Sequence, residues 1–127
     1  MKMNYISNKH KNQEIEQNFS KQVEIMRNFE DKMNGYLFIS PKSAEDMRDE
    51  ASQQSNCLAT YIDRVANGER HIIFMRKEDE PEKSLVTIEI FPNGEVGQVK
   101  AARNKNPDVK YMEVVRKWAQ KHNLSIA

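Results

Sequence analysis

Residues 71–100 read HIIFMRKEDEPEKSLVTIEIFPNGEVGQVK, and the alternation within them decides the fold. Residues 71–75 and 85–91 are rich in β-branched and aromatic side chains, which suit a pleated surface. In the second run Val86, Ile88 and Ile90 alternate with Thr87 and Glu89, the period of a strand with one face buried and one face wet. The two runs are predicted to pair as a hairpin across 77–83, a connection too charged for a core and read as a solvated loop rather than a docking loop. Pro92-Asn93-Gly94 is a strong turn signal, so 95–100 should return as the third strand of a meander.

Before the meander, Ile15, Phe19, Val23, Met26, Phe29 and Met33 recur every three or four positions, which predicts one long amphipathic helix over 11–33. Its stripe suits either its own domain or a partner, and Asn34-Gly35 supplies a left-handed stop. Residues 36–40 (YLFIS) read as a strand closed by Pro41. Ser43 is placed to cap a polar helix running to about Gln53. Ser55 or Asn56 can cap a second helix bearing Cys57, Leu58, Tyr61, Ile62 and Val65, ended by Asn67-Gly68. After the meander, Pro107-Asp108 opens a last helix with Val109, Met112, Val115 and Trp118 on one face, and Asn123 ends it. The expected class is α+β: a long amino-terminal helix, two short helices, a mainly antiparallel sheet of three to four strands and a carboxy-terminal helix.

A chain of 127 residues fits one domain, because halving it would leave each part too small to bury a core. The division expected is a polar tail plus long helix over 1–35, followed by the core. With 20 Lys and Arg against 19 Asp and Glu, the net charge of +1 exerts no global pull on nucleic acid or an anionic membrane. The charge is local instead: from Lys100 onward seven basic residues face two acidic ones, Asp108 and Glu113. Lys100, Arg103, Lys105, Arg116 and Lys117 are therefore candidate phosphate contacts if the fold gathers them, and a solvated helix face otherwise. Few aromatics interleave with them, so a base-reading platform has weak support there. The polar amino terminus and the lack of any bilayer-length apolar run predict a cytoplasmic protein. A single cysteine excludes an internal disulfide, and His10, His71 and His122 stand isolated, so neither a metal nor a cofactor is expected.

Ile39 to Ser43, Glu50, Cys57, the run Tyr61 to Glu69, Ile73 to Lys77, Pro81, Ser84 to Ile90 and Gln98 together resemble the carboxy-terminal domain of the PcfJ-like proteins of conjugative plasmids and phages. The resemblance covers 36–124, the family-like core. The family's pattern has a histidine before its cysteine, a glycine two residues after it and a Gly-rich stretch after its glutamine; here stand Ser55-Asn56, Ala59 and Ala101-Ala102, while Asn104 still fits the asparagine that closes the pattern. If the family uses that histidine to carry a proton, neither serine nor asparagine can replace it. What the resemblance implies is residence on a mobile genetic element, with no established reaction.

The same resemblance puts Tyr61, Arg64, Arg76, Glu89, Gln98 and Asn104 near a helix-to-sheet junction. Arg76 and Glu89, on neighbouring predicted strands, could pair across them or converge on a polar pocket. Cys57 at a helix start is either a nucleophile or, as its residue type more often is, a small buried hydrophobe; His71 could reach it only through the fold. The leading expectation is a non-catalytic interaction protein whose partner is a protein or nucleoprotein of the host or element, with an inhibitor of a host defence nuclease, such as an anti-CRISPR protein, as its specific form. The alternatives are an enzyme on nucleic acid or nucleotides using Cys57, Tyr61, Arg76 and Glu89, and a conjugative-transfer accessory protein.

Overall fold

The computed structural model describes the backbone from Lys2 onward and the side chains from Lys11 onward. The elements are α1 (Lys2–Met26), β1 (Asp31–Met33), β2 (Tyr36–Ile39), α2 (Ala44–Gln54), α3 (Ile62–Ala66), β3 (His71–Lys77), β4 (Val86–Ile90), β5 (Val96–Lys100) and α4 (Val109–Lys121), with 3-10 turns at Arg27–Phe29, Leu58–Tyr61 and Ala102–Asn104. The five strands form one antiparallel sheet in the order β1-β2-β3-β4-β5. The expected α+β class and the meander of residues 71–100 are both present.

The first helix differs from its expectation at both ends. It begins at Lys2, inside the segment expected to be a tail, and stops at Met26 rather than Met33. Asn34 (φ 56°) and Gly35 (φ 82°) are both left-handed, and the two residues form a hairpin turn instead of a helix stop. They fold Asp31–Met33 back on β2 in the register Asp31 to Phe38, Lys32 to Leu37 and Met33 to Tyr36. Three residues are too few to show a strand period, so the helical stripe absorbed them. Tertiary contacts hold the break: Trp118 Nε1 donates to Phe29 O at 2.8 Å, and Glu30 accepts from both Ser40 N and Ser40 Oγ.

The register divides the sheet into two faces. Phe38, Met75 and Val86 lie side by side on one; Ile39, Phe74, Thr87 and Lys100 lie on the other. On the first face Trp118 of α4 stacks on Phe38 with rings parallel to within 3° and centroids 4.9 Å apart. On the second face sits α2, whose Glu50 reaches Arg76 and Thr87. Helix α1 packs on α3 and on the start of β3, where Met26 Sδ accepts from Ile72 N and Gln22 Oε1 lies 2.9 Å from His71 Nε2. Every residue of β4 is buried, so the polar side of its alternation points into a second covered layer and not to water. Helix α2 likewise is polar only in composition: Ala44, Met47 and Ala51 form a buried stripe beside buried Glu50 and Gln54. Ser43 occupies the cap position of α2 without a side-chain cap bond, and Val109 is exposed rather than on the core face of α4.

Asp31 fastens β1 to α4, lying 2.8 Å from Lys121 Nζ and from His122 Nε2. The Lys121 hydrogen bond, with help from His122 and against partial desolvation, holds the Asp31 carboxyl at about 2, below its ordinary 3.8. A depressed carboxyl stabilises the fold at any pH above its ordinary range and loses that contribution as pH falls through about 2. Asp31→Asn is expected to lower the melting temperature at neutral pH and to flatten the acid limb of the stability profile; an unchanged limb in acid-titrated thermal melts would count against this clasp.

Candidate functional site

Helix α2 ends at Ser55, which is left-handed (φ 52°) and turns the chain back across the sheet. Asn56 Oδ1 then accepts from Leu58 N at 2.9 Å, opening the 3-10 turn that carries Cys57 and Tyr61 over the second face of the sheet. Between this turn and strands β4 and β5 lies a narrow cleft of about 410 Å³, counting its solvent-open mouth. Leu58 and Ile72 supply its buried apolar lining, while Cys57, Tyr61, Gln98, Lys100 and Asn104 supply its rim. Thr87 and Glu89 complete the sheet side.

Both oxygens of Glu89 are engaged. Its Oε1 accepts from Gln98 N at 3.1 Å and its Oε2 from Arg70 Nε at 3.2 Å. The register shifts between Ile88 and Ile90, and the carboxylate splints that irregularity by taking the amide that a regular ladder would have paired with backbone. Gly97 makes the fit possible: a Cβ there would overlap Glu89 Oε1 and come within 2.6 Å of the Phe91 ring. Arg70 in turn lies over Phe91, 4.4 Å from the ring centroid.

Arg76 does not meet Glu89. Residue 89 stands opposite Ile72, four positions along β3 from Arg76, so the two share a face but lie at opposite ends of it. Arg76 pairs with Glu50 at 2.5 Å and donates to Pro81 O at 2.9 Å. Glu50 is fully buried and also accepts from Thr87 Oγ1. Burial pushes the Glu50 carboxyl up from 4.5, and the Arg76 charge and hydrogen bond oppose that shift.

The expected site residues therefore separate into three places. Cys57, Tyr61, Glu89, Gln98, Lys100 and Asn104 come together in the cleft. Arg64 adjoins it, its guanidinium 4.9 Å from the Tyr61 ring centroid. Arg76 lines a different groove, with Asp49 and Glu82. Arg116 and Lys117 project from α4, which packs on the other face of the sheet, so the basic residues after Lys100 do not form one patch. Of these basic residues Lys100 lines the cleft, its Nζ donating to Asn106 Oδ1 at 3.1 Å, and Arg103 and Lys105 flank Asn104 in the chain; Arg103 and Asn104 are both left-handed (φ 58° and 59°) within a tight turn closed by Lys105 N donating to Ala102 O. Two consecutive non-glycine residues in that region are uncommon, though Asn tolerates it better than most, and the turn places Asn104 at the rim.

Cys57 is exposed, contrary to its reading as a buried hydrophobe. His71 is not its partner: it lies on the opposite face beside Gln22, and burial lowers its tendency to protonate. His10 lies outside the described side chains. Among the described residues no group of three or more His, Cys, Asp and Glu is placed to hold a metal ion, and no helix is long and apolar enough to cross a membrane. The residues that sequence reasoning missed are Arg70, Gly97 and the role of Glu50. Glu50 carried a signal, since it extends the Ala44, Met47, Ala51 stripe; Arg70 carried none.

Two substitutions test this arrangement. Arg76→Leu strands a buried carboxylate and is expected to lower unfolding free energy by about 3–5 kcal/mol at neutral pH. Because the Glu50 pKa is raised, the loss should shrink as pH falls and the carboxyl takes up a proton; urea titrations at two pH values check both parts. Gly97→Ala is expected to cost about 1–3 kcal/mol by forcing Glu89 off the Gln98 amide. A melting temperature equal to that of the unsubstituted protein would show that the bulge tolerates a side chain.

Comparison with known proteins gives a consistent answer. Residues 1–115 match the PcfJ-like protein family, so the match takes in α1 as well as most of the 36–124 core. A Listeria innocua protein described only as uncharacterized is 33% identical over 106 residues, 82% of this chain. The chain spans 23% of the length of that relative. No solved structure matches it. On this evidence the chain belongs to the PcfJ-like protein family.

Proposed function

We propose that this domain is a non-catalytic recognition module of a mobile genetic element, which binds a protein or nucleoprotein of the host or the element through the cleft under Cys57 and Tyr61. The observation that carries this reading is how the cleft distributes its polar capacity. Glu89, its one carboxylate, is spent on Arg70 and the Gln98 amide, whereas the side-chain amides of Gln98 and Asn104 are engaged by no described residue. Amides with unspent hydrogen-bonding capacity at the rim of a cleft lined below by Leu58 and Ile72 suit hydrogen-bonded recognition, while a carboxylate held between two donors is poorly placed to accept a proton in a reaction. Inhibition of a host defence nuclease, as by an anti-CRISPR protein, is the finer form of the proposal.

The enzymatic reading draws on one feature, the exposed Cys57 at the cleft mouth. Turnover of labelled RNA or single-stranded DNA that disappears in Cys57→Ala would replace recognition with catalysis. For the module itself, the test is affinity capture from bacterial lysate with the unsubstituted chain and with a Gln98→Ala, Asn104→Gly double variant, which keeps the left-handed backbone at Asn104. A partner held by the first and lost by the second is expected. Equal retention by both would remove the cleft from the interaction.

A further inference from the structure

We infer that the cleft takes a single unpaired nucleobase of a single-stranded nucleic acid, with the flanking phosphates on Lys100 and the adjoining basic turn; this rests on the recognition reading above and gives it a ligand class. A nucleobase is a flat, largely apolar plate with donors and acceptors along its edge. The cleft offers the complement of each part. Leu58 and Ile72 form an apolar lining, and the Tyr61 ring with the Arg64 guanidinium 4.9 Å from its centroid adds flat surface. Gln98 and Asn104 each present a carbonyl acceptor beside an amide donor, the arrangement that pairs with a base edge at two points.

Electrostatics agree with an anionic chain. Lys100 lines the cleft, Arg103 and Lys105 follow within five residues, and the Glu89 charge that would repel a phosphate is offset by Arg70. Arg103 directly precedes Asn104 in the same left-handed turn, so a cation and an amide leave adjacent backbone positions, as a base and its own phosphate would use. The cleft is recessed between a 3-10 turn and the sheet edge, so a base still paired in a duplex cannot enter it. An acidic peptide would satisfy the cations and its backbone would pair with the amides, but its carboxylate side chains would leave the apolar lining unused.

Fluorescence anisotropy with the full chain separates these cases. The probes are labelled homopolymeric DNA and RNA oligonucleotides of each base, an abasic DNA of equal length, and an oligoglutamate peptide. At least one base should bind roughly tenfold more tightly than the abasic strand, and Tyr61→Leu and Asn104→Gly should each weaken it by a comparable factor. Lys100→Ala should reduce the slope of log affinity against log salt by about one, and Lys117→Ala, on the far side of the sheet, should change nothing. If Tyr61→Leu does not fold, Gln98→Ala carries the same test from an exposed position. Abasic DNA or oligoglutamate binding as tightly as the best base, or Lys117→Ala proving as damaging as Asn104→Gly, would overturn the inference. Should no oligonucleotide bind while lysate capture still depends on Gln98 and Asn104, the base pocket falls and the recognition module stands.

Discussion

A carboxylate with no exposure to water needs a cation, and in this fold the need is met by Glu50 and Arg76. Taking both groups out of water is expensive, and their attraction returns that energy only in good geometry, so such a pair contributes more to placement than to stability. Here it fixes α2 against the face of the sheet that carries Thr87, because Glu50 bonds to both β3 and β4 at once. The exit of α2 through left-handed Ser55 then has one direction available, across that same face. Cys57, Leu58 and Tyr61 come to lie over β4 and β5 as a consequence, and the cleft exists because α2 is docked where it is.

Charge in the interior is handled pairwise. Glu50 takes Arg76 and Glu89 takes Arg70, although Arg76 and Glu89 share a face of the sheet. The two pairs sit at opposite ends of β3 and leave the middle of the face to Thr87 and Phe74. The cleft lies at the Glu89 end, where Arg70 offsets the carboxylate, so its floor is nearly neutral and Lys100 makes its rim basic. Neutrality at the floor favours a flat uncharged group, and the rim favours an attached anion.

The opposite face obeys a simpler rule. Phe38, Met75, Val86 and Trp118 pack there without a charged partner, and the one polar atom of the Trp118 ring is satisfied by Phe29 O. That hydrogen bond lies where α1 gives way to β1, so the core residue that anchors α4 also holds open the break in the helical stripe. The clasp of Asp31 with Lys121 and His122 closes the same corner from outside.

Composition and period alone determined the meander: Val86, Ile88 and Ile90 could line only one face of a strand, and Asn93-Gly94 could only turn. They also determined the buried sides of α1 and α4 around Phe19, Val23, Val115 and Trp118, since a helical stripe is a local property of the chain. The resemblance to PcfJ-like proteins pointed to Cys57, Tyr61, Glu89, Gln98 and Asn104, which do converge. Tertiary structure decided the rest. Whether Asn34-Gly35 stops a helix or turns a hairpin depends on a strand paired from outside, and the left-handed geometry suits both. Whether Thr87 and Glu89 face water depends on whether a helix covers them. Which arginine neutralises which glutamate depends on distances between elements far apart in sequence, and charge carries no record of its partner until the chain has folded.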